Sequence, residues 1–131
     1  MSDTSDQNNQ DYDLFKSIVE HFPDIIHSVD AQGHVVSTNL QSSVLLGYAR
    51  EEMLGKSVFD LYDQSVQSKA TDGLEQLKND GVKVIESKMC HKGGDVIDVE
   101  VRSLSLYDED GEFVKTFSII RDIRNVKAMQ S

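Results

Sequence analysis

The C-terminal half of the chain consists of three extended segments separated by two turn sequences. The segments are residues 82–90, 96–107 and 113–123, and the sequences HKGGD and DEDG lie between them. Asp and Gly favour tight reversals, because Gly adopts positive φ and the Asp side chain hydrogen-bonds its own backbone. Strands joined by such short turns pair as antiparallel neighbours, so the pattern predicts a three-stranded meander.

Two further extended segments lie near the N-terminus. The apolar run at residues 25–29 is followed by the turn sequence DAQG and then by HVVS. Gly33, within that turn, is free to adopt positive φ. The stretch therefore predicts a β-hairpin.

A helix is predicted before this hairpin. Its apolar residues recur every three or four positions, as in an amphipathic helix, and they are Leu14, Phe15, Ile18, Val19 and Phe22. Pro23 disfavours helical geometry at the residue before it and so ends the pattern. Residues 1–11 contain no hydrophobic residue after Met1, and we expect them to form a disordered arm.

Helical signals also fill the middle of the chain. The stretch STNLQSSVLLGY offers Ser37, Thr38 or Asn39 as an N-cap and Gly47 as a stop. REEMLGK is a second short helix that stops at Gly55, and SVFDLYD is an irregular turn. A longer helix follows from Ser65, with Val66, Ala70, Leu74 and Leu77 at helical spacing until Gly81.

Strands separated by one helical block indicate an α+β domain, with one five-stranded antiparallel sheet and helices covering a single face. Such a pair of layers encloses an interior, and a small ligand could sit there. At 131 residues the chain is long enough for one such domain.

Charge and composition narrow the function classes. The net charge is -10, from 23 acidic and 13 basic residues, and no basic run is long enough to bind a phosphate backbone. No stretch approaches the ~20 apolar residues of a membrane span, and the N-terminus has no secretory-signal pattern. The single cysteine, Cys90, fits a reducing compartment. We therefore expect a cytoplasmic protein that binds no nucleic acid and no membrane.

Four stretches, in order and at characteristic separations, resemble the PAS family of sensory domains. They are VDAQGHVVSTN, LLGYAREEMLGKSVFDL, HKGGDVIDVEV and DEDGEFVKTFSIIRDIR. The resemblance runs from about residue 14 to residue 124, so we assign residues 12–124 to a PAS-like domain with a flanking N-terminal helix. It implies a five-stranded sheet around a cavity, in a signalling protein that senses a ligand or cofactor or that dimerises.

The resemblance also implies how a signal leaves the domain. In the family the last strand exits through an Asp-Ile-Thr motif into an output module such as a kinase, and Asp122, Ile123 and Arg124 occupy those positions here. Signal output is thus expected at Arg121, Asp122 and Ile123, with residues 125–131 starting a linker to an output domain. Two positions depart from the family: Arg124 and Ala49 stand where Thr or Ser could cap a helix.

The cofactor branches of the family leave different signatures. A cysteinyl–flavin adduct is not expected, because Val58 holds the place of the reactive Cys and Cys90 lies on another strand. Haem binding is not expected either, since no His lies in the central helix. Noncovalent flavin and a small metabolite stay open as ligands.

His27 stands out because it interrupts the apolar run DIIHSVD, where an imidazole either faces solvent or enters the cavity with a partner. It shares a face with His34 only if Val29 pairs with His34, and a slip of one residue separates the two. Two histidines do not make a metal site, which needs three or four ligands. Cys90 and His91 do not form a catalytic pair, because successive strand residues point to opposite faces.

Two groups of candidate residues follow. Eight residues are expected to line the ligand cavity because of their positions in the PAS-like fold. They are His27, Val29, Asn39, Val58, Phe59, Leu74, Val101 and Ile119. The apolar face of the first helix either packs on its own sheet or forms a homodimer interface through Leu14, Phe15, Ile18, Val19 and Phe22. A sensory module is the favoured interpretation, and the alternatives are a ligand-free dimerisation or interaction module and a small catalytic domain.

Overall fold

A computed structural model describes residues 4–126, with side chains from Gln7 onward. The helices and strands, in chain order, are α1 (Thr4–His21), β1 (Ile25–Val29), β2 (Val35–Thr38), α2 (Leu40–Leu46), α3 (Arg50–Met53), α4 (Gln67–Asp80), β3 (Val82–Cys90), β4 (Val96–Tyr107) and β5 (Phe113–Asp122). Two 3-10 turns, Val58–Leu61 and Gln64–Val66, connect α3 to α4.

The strands form one antiparallel sheet in the order β2-β1-β5-β4-β3, which confirms the predicted fold class. The last strand lies in the centre, because β5 pairs with β1 on one side and with β4 on the other. In the register His27 lies opposite Ser118, and Val101 lies opposite both Ile120 and Ile85. The final strand is therefore a neighbour of both the N-terminal hairpin and the meander.

Alternation along the strands separates the two faces of the sheet. In β4, Ile97, Val99 and Val101 are buried, whereas Arg102 between two inward positions is exposed. The inward face packs against α4 and the turns before it, and the main core cluster includes Ile25, Val35, Leu46, Met53, Leu61, Met89, Ile97, Val99 and Ile120. Helices α2 to α4 thus cover one face, and a hollow lies between them and the sheet.

Glycines end the helices as the sequence predicts. Gly47 and Gly81 adopt left-handed φ, and their N–H groups donate to the carbonyls of Ser43 and Leu77 at 2.9 and 2.8 Å. At the start of α3, Ala49 supplies no side-chain acceptor. Its backbone N–H donates to Glu52 Oε1 at 2.9 Å, and its carbonyl accepts the N–H groups of Glu52 and Met53 at 3.0 and 3.2 Å. The predicted loss of one capping contact at Ala49 is therefore visible.

Helix α1 begins at Thr4, so the disordered arm predicted for residues 1–11 is wrong from residue 4 onward; residues 1–3 lie outside the described residues. Helical hydrogen bonds propagate from an established turn without needing an apolar face, which is why apolar spacing missed this extension. The side chains of residues 7–11 are exposed, and Gln7 Nε2 donates to Asp11 Oδ1 at 3.0 Å.

Most of the apolar face of α1 lies in solvent. Leu14, Phe15 and Ile18 are 62%, 58% and 52% exposed, whereas Val19 and Phe22 are half-buried near α2. The chain's own sheet therefore does not cover this face.

Candidate functional site

A hollow lies between the inward face of the sheet and α4. The space open to the centre of a water-sized molecule is about 70 Å³. Its walls come from four strands, from α4 and from the turn before it, and the lining residues are His27, Val29, Val58, Phe59, Tyr62, Ala70, Gly73, Leu74, Leu77, Lys83, Ile85, Val101, Ser103, Thr116 and Ser118. We call this hollow the cavity.

Six of the residues assigned to the cavity from the sequence line it: His27, Val29, Val58, Phe59, Leu74 and Val101. Asn39 and Ile119 do not. The side chain of Asn39 is fully buried between α1 and β1, where its Nδ2 donates to the carbonyls of Val19 and Asp24 and its Oδ1 accepts from the N–H of Ile26. With these contacts Asn39 holds the end of α1 against the start of β1 and has a structural role.

Ile119 does not line the cavity for a different reason. In β5 the inward residues are Thr116, Ser118 and Ile120, which are buried, and Ile119 between them faces the opposite side of the sheet. Because side chains alternate along a strand, an error of one residue moves the assignment to the wrong face. Thr116 and Ser118 are the residues of this strand segment that line the cavity.

His27 is the most perturbed polar group of the cavity wall. It is 3% exposed, and its side chain has no hydrogen-bond partner among residues 4–126. Burial lowers its pKa to about 4, because a charged imidazole would lose its hydration there. The ring is therefore neutral at pH 7, with one donor and one acceptor nitrogen.

The two histidines of the first hairpin are separated. Val29 pairs with Val35, after an irregularity between Ser28 and Val29, so the register required for a shared face is absent. His34 is exposed, and its Nδ1 lies 3.7 Å from a carboxylate oxygen of Asp30. Residues 4–126 contain no group of three or more His, Cys, Asp or Glu side chains placed to hold a metal ion.

Tyr62 is a cavity residue that the sequence reasoning missed. It follows the 3-10 turn Val58–Leu61, bridges to Met89 of β3 through its backbone, and is 8% exposed. Its hydroxyl has no hydrogen-bond partner within the described part of the chain, and burial raises its pKa to about 12. The irregular stretch SVFDLYD has no period, so only its aromatic residues could have signalled a wall of the cavity.

Small hydroxyl residues on the inward faces of β4 and β5 were also missed. Ser103 and Ser118 lie opposite each other, and their Oγ atoms are 2.6 Å apart. Thr116 Oγ1 accepts the N–H of Val29 at 3.1 Å. A signal existed, because strand alternation in VRSLSLY and VKTFSII places these polar residues inward, where apolar ones are normal.

The side chains of Cys90 and His91 contact different partners. Cys90 Sγ lies 3.7 Å from Asp63 Oδ1, and burial, reinforced by the Asp63 carboxylate, raises the pKa of the Cys90 thiol. His91 Nδ1 instead accepts the N–H of Gly93 at 2.8 Å. The thiol therefore favours its protonated, weakly nucleophilic form.

The chain leaves the sheet beside a second hollow of about 210 Å³. Although larger, it is lined mostly by polar side chains and backbone around Asp24, Gln41, Asp122 and Asn125, whereas small-molecule sites are mainly apolar. We therefore take the smaller, apolar cavity as the candidate ligand site and call the second hollow the exit cleft.

Charged side chains fix the exit. Arg121 Nη2 lies 3.5 Å from Asp24 Oδ2. Ile123 is buried, and its backbone N–H donates to the carbonyl of Asp98. The Arg124 guanidinium donates to both oxygens of Asp122, at 2.8 to 3.2 Å, and thereby lowers the pKa of Asp122. Asp122 Oδ1 also accepts the N–H of Arg124, so the preceding carboxylate caps the helical residues 124–126 where Arg124 cannot.

Among the helices of residues 4–126, none combines the length and the apolar character needed to cross a bilayer.

Sequence and structure comparisons identify relatives of the whole fold. The chain is 27% identical over 115 residues to the signal transduction histidine-protein kinase AtoS of Escherichia coli, and 28% identical over 115 residues to the methyl sulfide methyltransferase-associated sensor of Methanosarcina acetivorans. Each match covers 86% of this chain but only 18% and 11% of those proteins, so the chain spans less than a fifth of these relatives.

The fold is shared with solved sensory domains. The PAS domain of a protein from Colwellia psychrerythraea superposes with a TM-score of 0.81 at 26% identity, over 87% of this chain and 98% of that one. A family profile described as PAS fold matches residues 19–128. The central strand, the one-sided helical cover and this match together place the chain in the PAS family of sensory domains.

Proposed function

We propose that this PAS domain binds a small molecule in the cavity and relays its presence through β5 to an output domain, such as a histidine kinase. One observation supports the proposal above others. The largely apolar cavity retains two buried polar side chains, His27 and Tyr62, that have no partner among residues 4–126. Buried polar groups normally have hydrogen-bond partners, so a ligand that supplies them stabilises this wall.

The path of β5 supports the relay. Thr116 and Ser118 line the cavity, and the strand continues within a few residues to Arg121, Asp122 and Ile123 at the exit. A ligand that binds one arrangement of the wall more tightly than another shifts the population of both. The ion pair between Arg121 and Asp24 and the bound carboxylate of Asp122 are the contacts at the exit that such a shift would alter.

A fragment screen tests ligand binding. Ligand-observed NMR with the wild-type chain should yield fragments that the cavity-filling variant Ala70→Leu no longer binds, because Ala70 lines the cavity. Ser68→Leu adds the same apolar side chain at an exposed position of α4 and should retain binding. A screen without any fragment that Ala70→Leu alone loses would contradict the proposal.

A second function, homodimerisation through α1, is favoured by the exposed apolar stripe of Leu14, Phe15 and Ile18. Three large apolar side chains in solvent on one helix face are costly unless a second surface covers them. The charged variant Phe15→Glu with Val19→Glu should shift the chain to monomers in sedimentation. Val44→Glu, at an exposed apolar position on α2, is the matched control, and a dimer that survives both changes would reject α1 as the interface.

The remaining expectations belong to the same proposal. We infer a cytoplasmic, non-catalytic module with its output domain in the same polypeptide. The similarity to the sensor AtoS and the raised pKa of the Cys90 thiol support it.

A further inference from the structure

We propose that the cavity selects a small, uncharged molecule that is apolar over most of its surface and presents one hydroxyl or amide group to the Tyr62 hydroxyl. This inference rests on the proposed function, because it names the ligand class of the same cavity.

Unused hydrogen-bonding capacity defines the polar part of the ligand. A neutral imidazole offers one donor and one acceptor, and the Tyr62 hydroxyl offers both, yet neither side chain has a partner among residues 4–126. The other hydroxyls of the wall are better satisfied, since Ser103 and Ser118 bind each other and Thr116 binds backbone. A ligand group that both donates and accepts therefore finds a partner in the Tyr62 hydroxyl, and the neutral His27 ring offers a second, separate position on the same wall.

The charge of the wall favours uncharged ligands over cationic ones. With pKa values of about 4 and about 12, His27 and Tyr62 are both neutral at pH 7. Among the described lining residues Lys83 alone is a full cation, and its Nζ already donates to Gln76 Oε1 at 2.6 Å. A buried ammonium ligand would find no partner of opposite charge among the described lining residues and is strongly disfavoured, whereas a carboxylate would have Lys83 alone, so we expect uncharged ligands to be preferred.

The size of the cavity restricts the apolar part. Its volume of about 70 Å³ is far below the roughly 300 to 1,000 Å³ of sites for drug-sized ligands. Val29, Val58, Leu74 and Val101 supply apolar walls around the two polar groups. A single ring or a short chain suits this space, and a fused-ring cofactor requires the wall to open.

Two pairs of isosteric probes test the selection, each with NMR-derived Kd values at pH 7. Phenol and toluene differ in a hydroxyl against a methyl group, and benzamide and benzoate differ in charge. We expect phenol to bind about tenfold more tightly than toluene, because one additional hydrogen bond in a buried site corresponds to about that change in Kd. Benzamide should likewise bind at least about tenfold more tightly than benzoate.

The variant Tyr62→Phe removes one hydroxyl that has no partner in the described chain, so the fold should persist. The variant should weaken the binding of phenol several-fold and leave the binding of toluene unchanged. Tyr12→Phe, on the exposed face of α1, is the matched control and should change neither. Ala70→Leu should abolish binding of both probes.

Toluene binding as tightly as phenol, or benzoate as tightly as benzamide, would overturn the selection while leaving ligand binding in the cavity intact. A phenol preference that survives Tyr62→Phe would overturn the assignment of the anchor. Binding that survives Ala70→Leu, or no binding of any probe at 10 mM (about 3 kcal/mol of affinity), would also reject this ligand class. The fragment screen decides the proposed function separately.

Discussion

Acid should destabilise this domain through His27. The folded-state pKa of about 4 lies below the ordinary value of 6.5, so the unfolded chain binds more protons between these two pH values. Stability is therefore complete above pH 6.5 and is lost as the pH falls towards 4. The difference of about 2.5 pKa units corresponds to about 3 kcal/mol at 1.36 kcal/mol per unit.

Urea unfolding at pH 7, 6, 5 and 4.5 measures this loss, with the variant His27→Gln as the reference that lacks the titrating ring. Tyr62 and Lys83 also face the cavity, but both are present in the two chains, so the difference between the chains isolates His27. The carboxylates with lowered pKa values, such as Asp122, lose their contribution only below their ordinary pKa of 3.8. Equal pH dependence of wild type and His27→Gln would refute this role of His27.

Three further substitutions have effects that follow from local geometry. Gly73→Ala should stabilise the domain by about 1 kcal/mol, because Gly73 lies inside α4 and an added Cβ meets only Lys83 Nζ at 3.5 Å, an ordinary contact. Gly33→Ala should destabilise it by about 3 kcal/mol, because φ is +86° and the added Cβ falls 2.5 Å from Phe59. Asn39→Ala should cost about 3 kcal/mol, because three buried backbone groups lose their partner.

Urea unfolding checks each of these changes against a matched variant. Gly55→Ala has the same left-handed backbone with nothing within 4 Å, so a loss as large as that of Gly33→Ala would contradict the clash with Phe59. Asn79→Ala, which loses one exposed contact, should change stability by less than about 0.5 kcal/mol. A destabilised Gly73→Ala would indicate that the cavity has no room beside α4.

The strands could be predicted from sequence because their signals are local. Alternation and turns rich in Asp and Gly fix the bounds of β3, β4 and most of β5 without knowledge of the rest of the chain. The extension of α1 to Thr4 could not be predicted from the sequence pattern, since a solvated helical turn needs no apolar stripe. Local pattern thus predicts an element where burial is periodic and fails where it is not.

The cavity was predictable only in part, because a residue's place in a wall depends on tertiary packing. Position in the fold gave six of the fifteen lining residues, but Ile119 was assigned one residue away from Ser118, and a single step reverses the face. Tyr62 could not be found by period, since it lies in an irregular turn. Asn39 was assigned to the cavity, but its side chain serves the α1–β1 junction.

Coupling between the cavity and the chain exit is tested most directly by hydrogen–deuterium exchange of the free protein and of the protein saturated with phenol. The account predicts changed exchange in residues 116–126, from the cavity wall through the Asp122–Arg124 pair, with no such change in Ala70→Leu. Altered exchange at the cavity wall, with residues 121–126 exchanging as in the free protein, would contradict it.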